Sequence, residues 1–288
     1  MGKITNSYTL SVYEKALPDF LNMEEKFANA KLYGFDAFEL SIDESIERQR
    51  RLTWQTKDIL NLQCLSAEYD MPIHTICLSA HRRYPMGSRD KEIRDKSIEI
   101  IKKAIELASK VGVRVIQVAG YDVYYEQSDR QTASHFLSGL QTAVNYAAQY
   151  GVILAFETME TDFMDTVEKA MKFVELVNSP YLQIYPDIGN LSNAAIKYQG
   201  CVVSDIAKGK GHIVAAHLKE TAPGIYRNMV FGSGSTAYIP CIRQLWQEGV
   251  RKYTGEFWHL EGQDWRQNLQ YASKFLREKI QIAAQERL

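Results

Sequence analysis

Four side chains able to bind a metal or move a proton stand where short apolar runs end. Glu157 follows Val152-Ile153-Leu154-Ala155-Phe156, Asp187 follows Tyr185-Pro186, His217 follows Ile213-Val214-Ala215-Ala216, and Glu256 follows Thr254-Gly255. Three carboxylates and one imidazole suit one divalent ion such as Mn²⁺, Mg²⁺, Co²⁺ or Zn²⁺. Gathered without an ion, such a group suffers like-charge repulsion and raised pKa values. Taken singly, an acid at a strand end is most often an ion-pair partner, and a histidine after an apolar run is most often a hydrogen-bonded core residue. Four on consecutive runs form a pattern that the single cases do not.

A second cluster is Ser79-Ala80-His81-Arg82-Arg83. Two adjacent arginines beside a histidine and a serine can give bidentate bonds to a phosphate. Ser233 and Ser235, in Gly232-Ser233-Gly234-Ser235, offer hydroxyl or amide donors to the same anion. A solvated basic loop explains the arginines equally well. Asn190 and Glu220, three residues after Asp187 and His217, and Arg227, a partner for Glu220, are placed behind these groups as supports. Glu160 receives no role, its spacing from Glu157 aiming it elsewhere.

The elements that must carry these residues alternate. Short apolar runs at about 7–13, 35–41, 73–79, 113–119, 152–157, 181–187, 213–218 and 253–258 are each followed by a charge-laced stretch, the signature of βα units. Gly34, Gly112, Gly151 and Gly249 precede strands as helix C-caps. Helical spacing is clearest from Asp90 to Lys110 and recurs at 130–149, 164–177 and 266–284, while 44–70 reads as two helices broken near Trp54. Between 191 and 212 the pattern is weak and suggests a short helix and a loop. An open doubly wound sheet uses the same alternation, but no GxGxxG follows the first strand and no Walker A motif occurs. Eight repeats favour closure into a single (β/α)8 TIM barrel spanning 1–288, a fold of ~250 residues or more whose chemistry sits at the C-terminal strand ends.

Composition narrows the partners. Lys+Arg 34 against Asp+Glu 35 leaves a net charge of -1, so no basic field draws the chain to nucleic acid or to an anionic membrane. Hydrophobic content of 45% with 24% charged residues is that of a globular protein, and no run approaches the length of a membrane span. Cys64, Cys77, Cys201 and Cys241 form no CxxC pair, which fits a reducing compartment. The N-terminal residues Met1–Asn6 contain no apolar signal core, and a cytoplasmic location is expected.

Together the segments ending at Glu157, Pro186-Asp187-Ile188-Gly189-Asn190, His217-Leu218-Lys219-Glu220 and Gly255-Glu256-Phe257-Trp258 resemble the xylose-isomerase-like TIM barrels. With Tyr13–Pro18 and Ser79–Ser88 they resemble one branch closely, the L-ribulose-5-phosphate 3-epimerases of L-ascorbate and related sugar catabolism. The likeness covers essentially the whole chain. It implies one divalent metal held by Glu157, Asp187, His217 and Glu256, a small sugar phosphate as partner, and epimerisation at C3 of a ketopentose phosphate. A homodimer is the expectation for this barrel class. The free-ketose epimerases carry a histidine where this chain has Asn190, a departure that agrees with a phosphorylated substrate.

The chemistry explains the residue types. The C3 hydrogen of a 2-ketose is too weakly acidic for an unaided carboxylate, and a divalent ion on the C2 carbonyl and C3 hydroxyl stabilises the cis-enediolate. Glu157 and Glu256 are the expected pair, one removing the C3 proton and the other returning a proton to the opposite face. An aldose–ketose isomerase and a free-ketose 3-epimerase share that chemistry. A non-catalytic sugar-phosphate-binding protein would keep the arginines without needing two acids at one metal. A phosphodiesterase on the same barrel would need several metals and more histidines than the 6 present.

Overall fold

The computed structural model describes residues 8–285. All eight expected strands form: β1 (Thr9–Tyr13), β2 (Ala37–Ile42), β3 (Ile73–Leu78), β4 (Val115–Ala119), β5 (Ile153–Glu157), β6 (Leu182–Tyr185), β7 (Ala216–Leu218) and β8 (Lys252–Gly255). The helices are α1 (Met23–Leu32), α2 (Ile46–Gln49), α3 (Thr56–Glu68), α4 (Lys91–Val111), α5 (Arg130–Tyr150), α6 (Val167–Val177), α7 (Ile188–Tyr198), α8 (Val202–Ala207), α9 (Tyr238–Gln247) and α10 (Trp265–Gln285). The strand order is β6-β5-β4-β3-β2-β1-β8-β7. An isolated parallel bridge, Asp187 to His217, links the residue just past β6 to β7, as a (β/α)8 barrel requires.

The chain divides into two compact units, with β2 running from one into the other. One unit holds Leu40–Cys64 and Ile73–Tyr185. Its strands pair in parallel, Gln117 with Ala155, Ala119 with Glu157, and Glu157 with Tyr185. Phe136 meets Phe163 and Phe173 edge to face over β5, at 5.1 and 5.4 Å. Full burial of the Phe136 ring contributes about 1.5–3 kcal/mol. Asp90 caps α4 by accepting from Glu92 N–H, and Asp129 with Thr132 forms a capping box on α5. Both helices end in left-handed glycines, Gly112 (φ 83°) and Gly151 (φ 62°), as their positions before strands predict.

The other unit holds the described residues up to Glu39, Leu65–Pro72, and those from Pro186 onward. Here β1 pairs with β2 (Tyr13 with Glu39) and with β8 (Val12 with Gly255), and β8 pairs with β7 (Thr254 with His217). Because side chains alternate along a strand, this register sets Glu39, Glu256 and His217 on one face with Tyr13, while Leu10, Val12, Phe38 and Tyr253 fill the helix-facing core. Gly255 permits that packing: a Cβ there would lie 2.8 Å from Leu276 Cδ1 of α10.

The segment 191–212 departs from expectation, since it holds most of α7 and all of α8 rather than one short helix and a loop. Residues Ile188 to Ala194 are all buried, the polar Asn190, Ser192 and Asn193 among them, so no apolar stripe stands apart from a polar face in the sequence. The break expected near Trp54 is present, as a 3-10 turn at Arg50–Thr53 between α2 and α3. Among the described residues no helix is long and apolar enough to cross a membrane, and all four cysteines are free thiols.

Candidate active site

At the ends of β7 and β8, and at the start of α7, three expected ligands come together. Asp187, His217 and Glu256 each offer an atom that lies within 4.8 Å of the others. His217 Nδ1 is 3.5 Å from Glu256 Oε2 and 3.9 Å from Asp187 Oδ2, and Asp187 and His217 are fully buried. Asp187 serves two structures at once, because its Oδ1 caps α7 by accepting from Asn190 N–H at 2.7 Å while Oδ2 faces the histidine. Asn190 therefore contributes its backbone to the orientation of Asp187. Gly189 lets α7 start against β7, a Cβ there falling 2.9 Å from Lys219 O and 2.8 Å from Thr221 Cγ2.

Two residues of this constellation were not anticipated. Glu39 of β2 is fully buried, and His217 Nε2 donates to its Oε1 at 2.8 Å. That bond assigns the ring proton to Nε2 and turns the Nδ1 lone pair toward Asp187 and Glu256. Lys219, two residues beyond His217 and on the same face, sets its ammonium 3.0 Å from Asp187 Oδ2 and 3.1 Å from Glu256 Oε2. Burial pushes the Glu256 carboxyl up, but the Lys219 ammonium outweighs it and holds the group down at about 2. For Glu39 the sequence carries a partial signal, since a charged side chain inside the apolar run Phe38-Glu39-Leu40 has to find a partner, without saying which one.

Glu157 closes β5, buried, and accepts a hydrogen bond from Gln117 Nε2 of β4. The register holds it opposite Tyr185, two residues before Asp187. Glu160 does have a place. Tyr121 donates to its Oε2 at 2.6 Å, and Arg82 lies 3.7 Å from its Oε1.

The arginine loop after β3 is a 3-10 turn, Ser79–Arg82. His81 is buried with Nε2 3.2 Å from Ser97 O, and burial pushes its pKa down to about 4. It is a neutral ring that props the loop on α4. Arg82 donates to Tyr121 Oη at 3.2 Å and stacks on Tyr124 at 4.6 Å, whereas Arg83 is exposed beside Tyr84. Ser79 is half-buried at the head of the turn.

In the glycine-rich loop, Ser233 Oγ donates to Val230 O at 2.7 Å, and Ser235 N–H donates to Thr221 O at 2.8 Å. Glu220 is buried and accepts from the backbone N–H groups of Gly232, Thr221 and Thr236, so it organises that loop. Arg227 lies over Trp258, 5.6 Å from the ring centre, and Trp258 in turn meets Tyr13 edge to face.

The buried oxygen-rich set and an imidazole nitrogen turned toward it fit a divalent ion. Residues 27–279 match the family model described as xylose isomerase-like TIM barrel. The chain is 40% identical over 262 residues to L-ribulose-5-phosphate 3-epimerase UlaE of Shigella boydii serotype 18, covering 91% of each. Among solved structures it resembles a D-tagatose 3-epimerase-like protein (TM-score 0.80, 19% identity, 96% of this chain and 99% of that one). It also resembles an L-ribulose 3-epimerase (TM-score 0.80, 17% identity, 97% and 96%). The chain belongs to the xylose isomerase-like TIM barrel family, and with these relatives it is an isomerase of the epimerase kind.

Proposed function

We propose that the chain interconverts L-xylulose 5-phosphate and L-ribulose 5-phosphate by inversion at C3, working as one barrel domain in L-ascorbate or related pentose catabolism. The observation that carries the substrate is the kinship with L-ribulose-5-phosphate 3-epimerase along nearly the whole of both chains.

Asp187, His217 and Glu256 would hold one divalent ion, with Glu157 as the fourth ligand. Bound there, an ion would supply Lewis-acid stabilisation of the negative charge that develops as the C3 proton leaves. Glu157 and Glu256 also carry the proton, one taking it from C3 and the other delivering one to the opposite face, for ~10²–10⁴-fold each. Gln117 and Lys219 orient the two carboxylates.

At the other end of the open-chain sugar, Ser79, Arg82 and Arg83 hold the 5-phosphate on a turn that His81 braces, and the loop of Ser233 and Ser235 adds donors. Remote binding energy of this kind orients C3 and so raises turnover as well as affinity. The test is a parallel assay of L-xylulose 5-phosphate and free L-xylulose, before and after chelation. Epimerisation that prefers the phosphate and stops with chelator is expected; equal rates on both sugars would remove the phosphate reading.

A further inference from the structure

We infer that Lys219 is the built-in counter-charge of Asp187 and Glu256: it holds the two acids together when no cation is bound and opposes a divalent ion that enters. The inference rests on the metal reading above and adds a residue that sets how tightly the ion is kept.

The geometry is specific. The Lys219 ammonium lies 3.0 Å from Asp187 Oδ2 and 3.1 Å from Glu256 Oε2, and its side chain is 5% exposed. Those are the same two oxygens that His217 Nδ1 faces, at 3.9 and 3.5 Å. Cation and ion ligand therefore converge on one pair of carboxylate oxygens. The lysine stem starts from a fixed point, because β7 is packed against the start of α7 where a Cβ on Gly189 would meet Lys219 O at 2.9 Å. Trp258 walls the far side, its ring centre 6.0 Å from the ammonium.

Two consequences follow from charge alone. Without an ion, replacing the ammonium by an apolar group leaves two neighbouring buried carboxylates unmatched, which is strongly destabilising. With an ion, the ammonium repels it across a short, poorly screened distance, so removing the ammonium tightens binding. A lysine that served only as a hand on the substrate would alter KM and leave both properties alone.

The test uses the full chain as wild type, Lys219→Met and Lys219→Arg, each stripped with chelator, followed by thermal unfolding and calorimetric titration with Mn²⁺ alone. Stripped Lys219→Met is expected to melt about 5 °C or more below wild type. It should bind Mn²⁺ ~10-fold or more tightly, while Lys219→Arg, which keeps the charge, stays near wild type. Mn²⁺ affinity that is unchanged or weaker in Lys219→Met overturns the inference. If stripped Lys219→Met does not fold, competition between a chelator and the Mn²⁺-loaded variant gives the same comparison. Absence of Mn²⁺ binding by wild type removes the metal reading and this inference with it; equal affinities in wild type and Lys219→Met remove this inference only.

Discussion

Glu39 Oε1 accepts a hydrogen bond from His217 Nε2 at 2.8 Å, and both side chains are fully buried. A carboxylate behind a ligating histidine fixes the ring's tautomer and orientation and makes the facing nitrogen more basic. Glu39→Gln keeps the volume while removing the charge. It is expected to weaken divalent-ion binding by ~10–100-fold, read by titration with Mn²⁺. Unchanged affinity would show that the histidine is held by other means.

Glu157 and Glu256 are assigned both ligation and proton transfer, and substitution to glutamine separates the two. Glu157→Gln and Glu256→Gln should each lower kcat by ~10²–10⁴-fold when assayed at saturating metal. Metal content is measured on the same samples. A variant that carries the ion and epimerises at a near wild-type rate would contradict the two-base assignment.

His81 supplies a pH dependence with a definite sign. Its folded pKa, about 4, lies below the ordinary 6.5 because burial disfavours the charged ring. Between these values the unfolded chain takes up a proton that the folded chain refuses. Its contribution is thus fully present above pH 6.5 and is lost as pH falls toward 4, by on the order of 3 kcal/mol. Urea unfolding at pH 7 and pH 4.5 should show a smaller loss in His81→Gln than in wild type. An identical loss in both would place the acid sensitivity elsewhere.

The strands were legible because runs buried on both faces lose polar alternation, and Gly112 and Gly151 announce their own left-handed caps. Burial also hid α7, whose first turns bury the polar Asn190, Ser192 and Asn193 together with the apolar residues and so blur the helical pattern. Asp187, His217 and Glu256 were legible as strand-end residues. Glu39 was not, since nothing in the order of the chain ties it to a histidine 178 residues away; the parallel register does that. Lys219 follows His217 by two residues, yet only the alternation of β7 reveals that the two share a face. The spacing of Glu160 from Glu157 says nothing of its partners, because Tyr121 and Arg82 come from other strand ends.

The central claim is proton exchange at C3 of a phosphorylated ketopentose. The most direct measurement is the NMR spectrum of L-xylulose 5-phosphate incubated with the protein in D₂O, with and without chelator. Deuterium at C3 together with L-ribulose 5-phosphate, both abolished by the chelator, is the predicted result. Deuterium at C1, or no exchange in the metal-loaded protein, would contradict it.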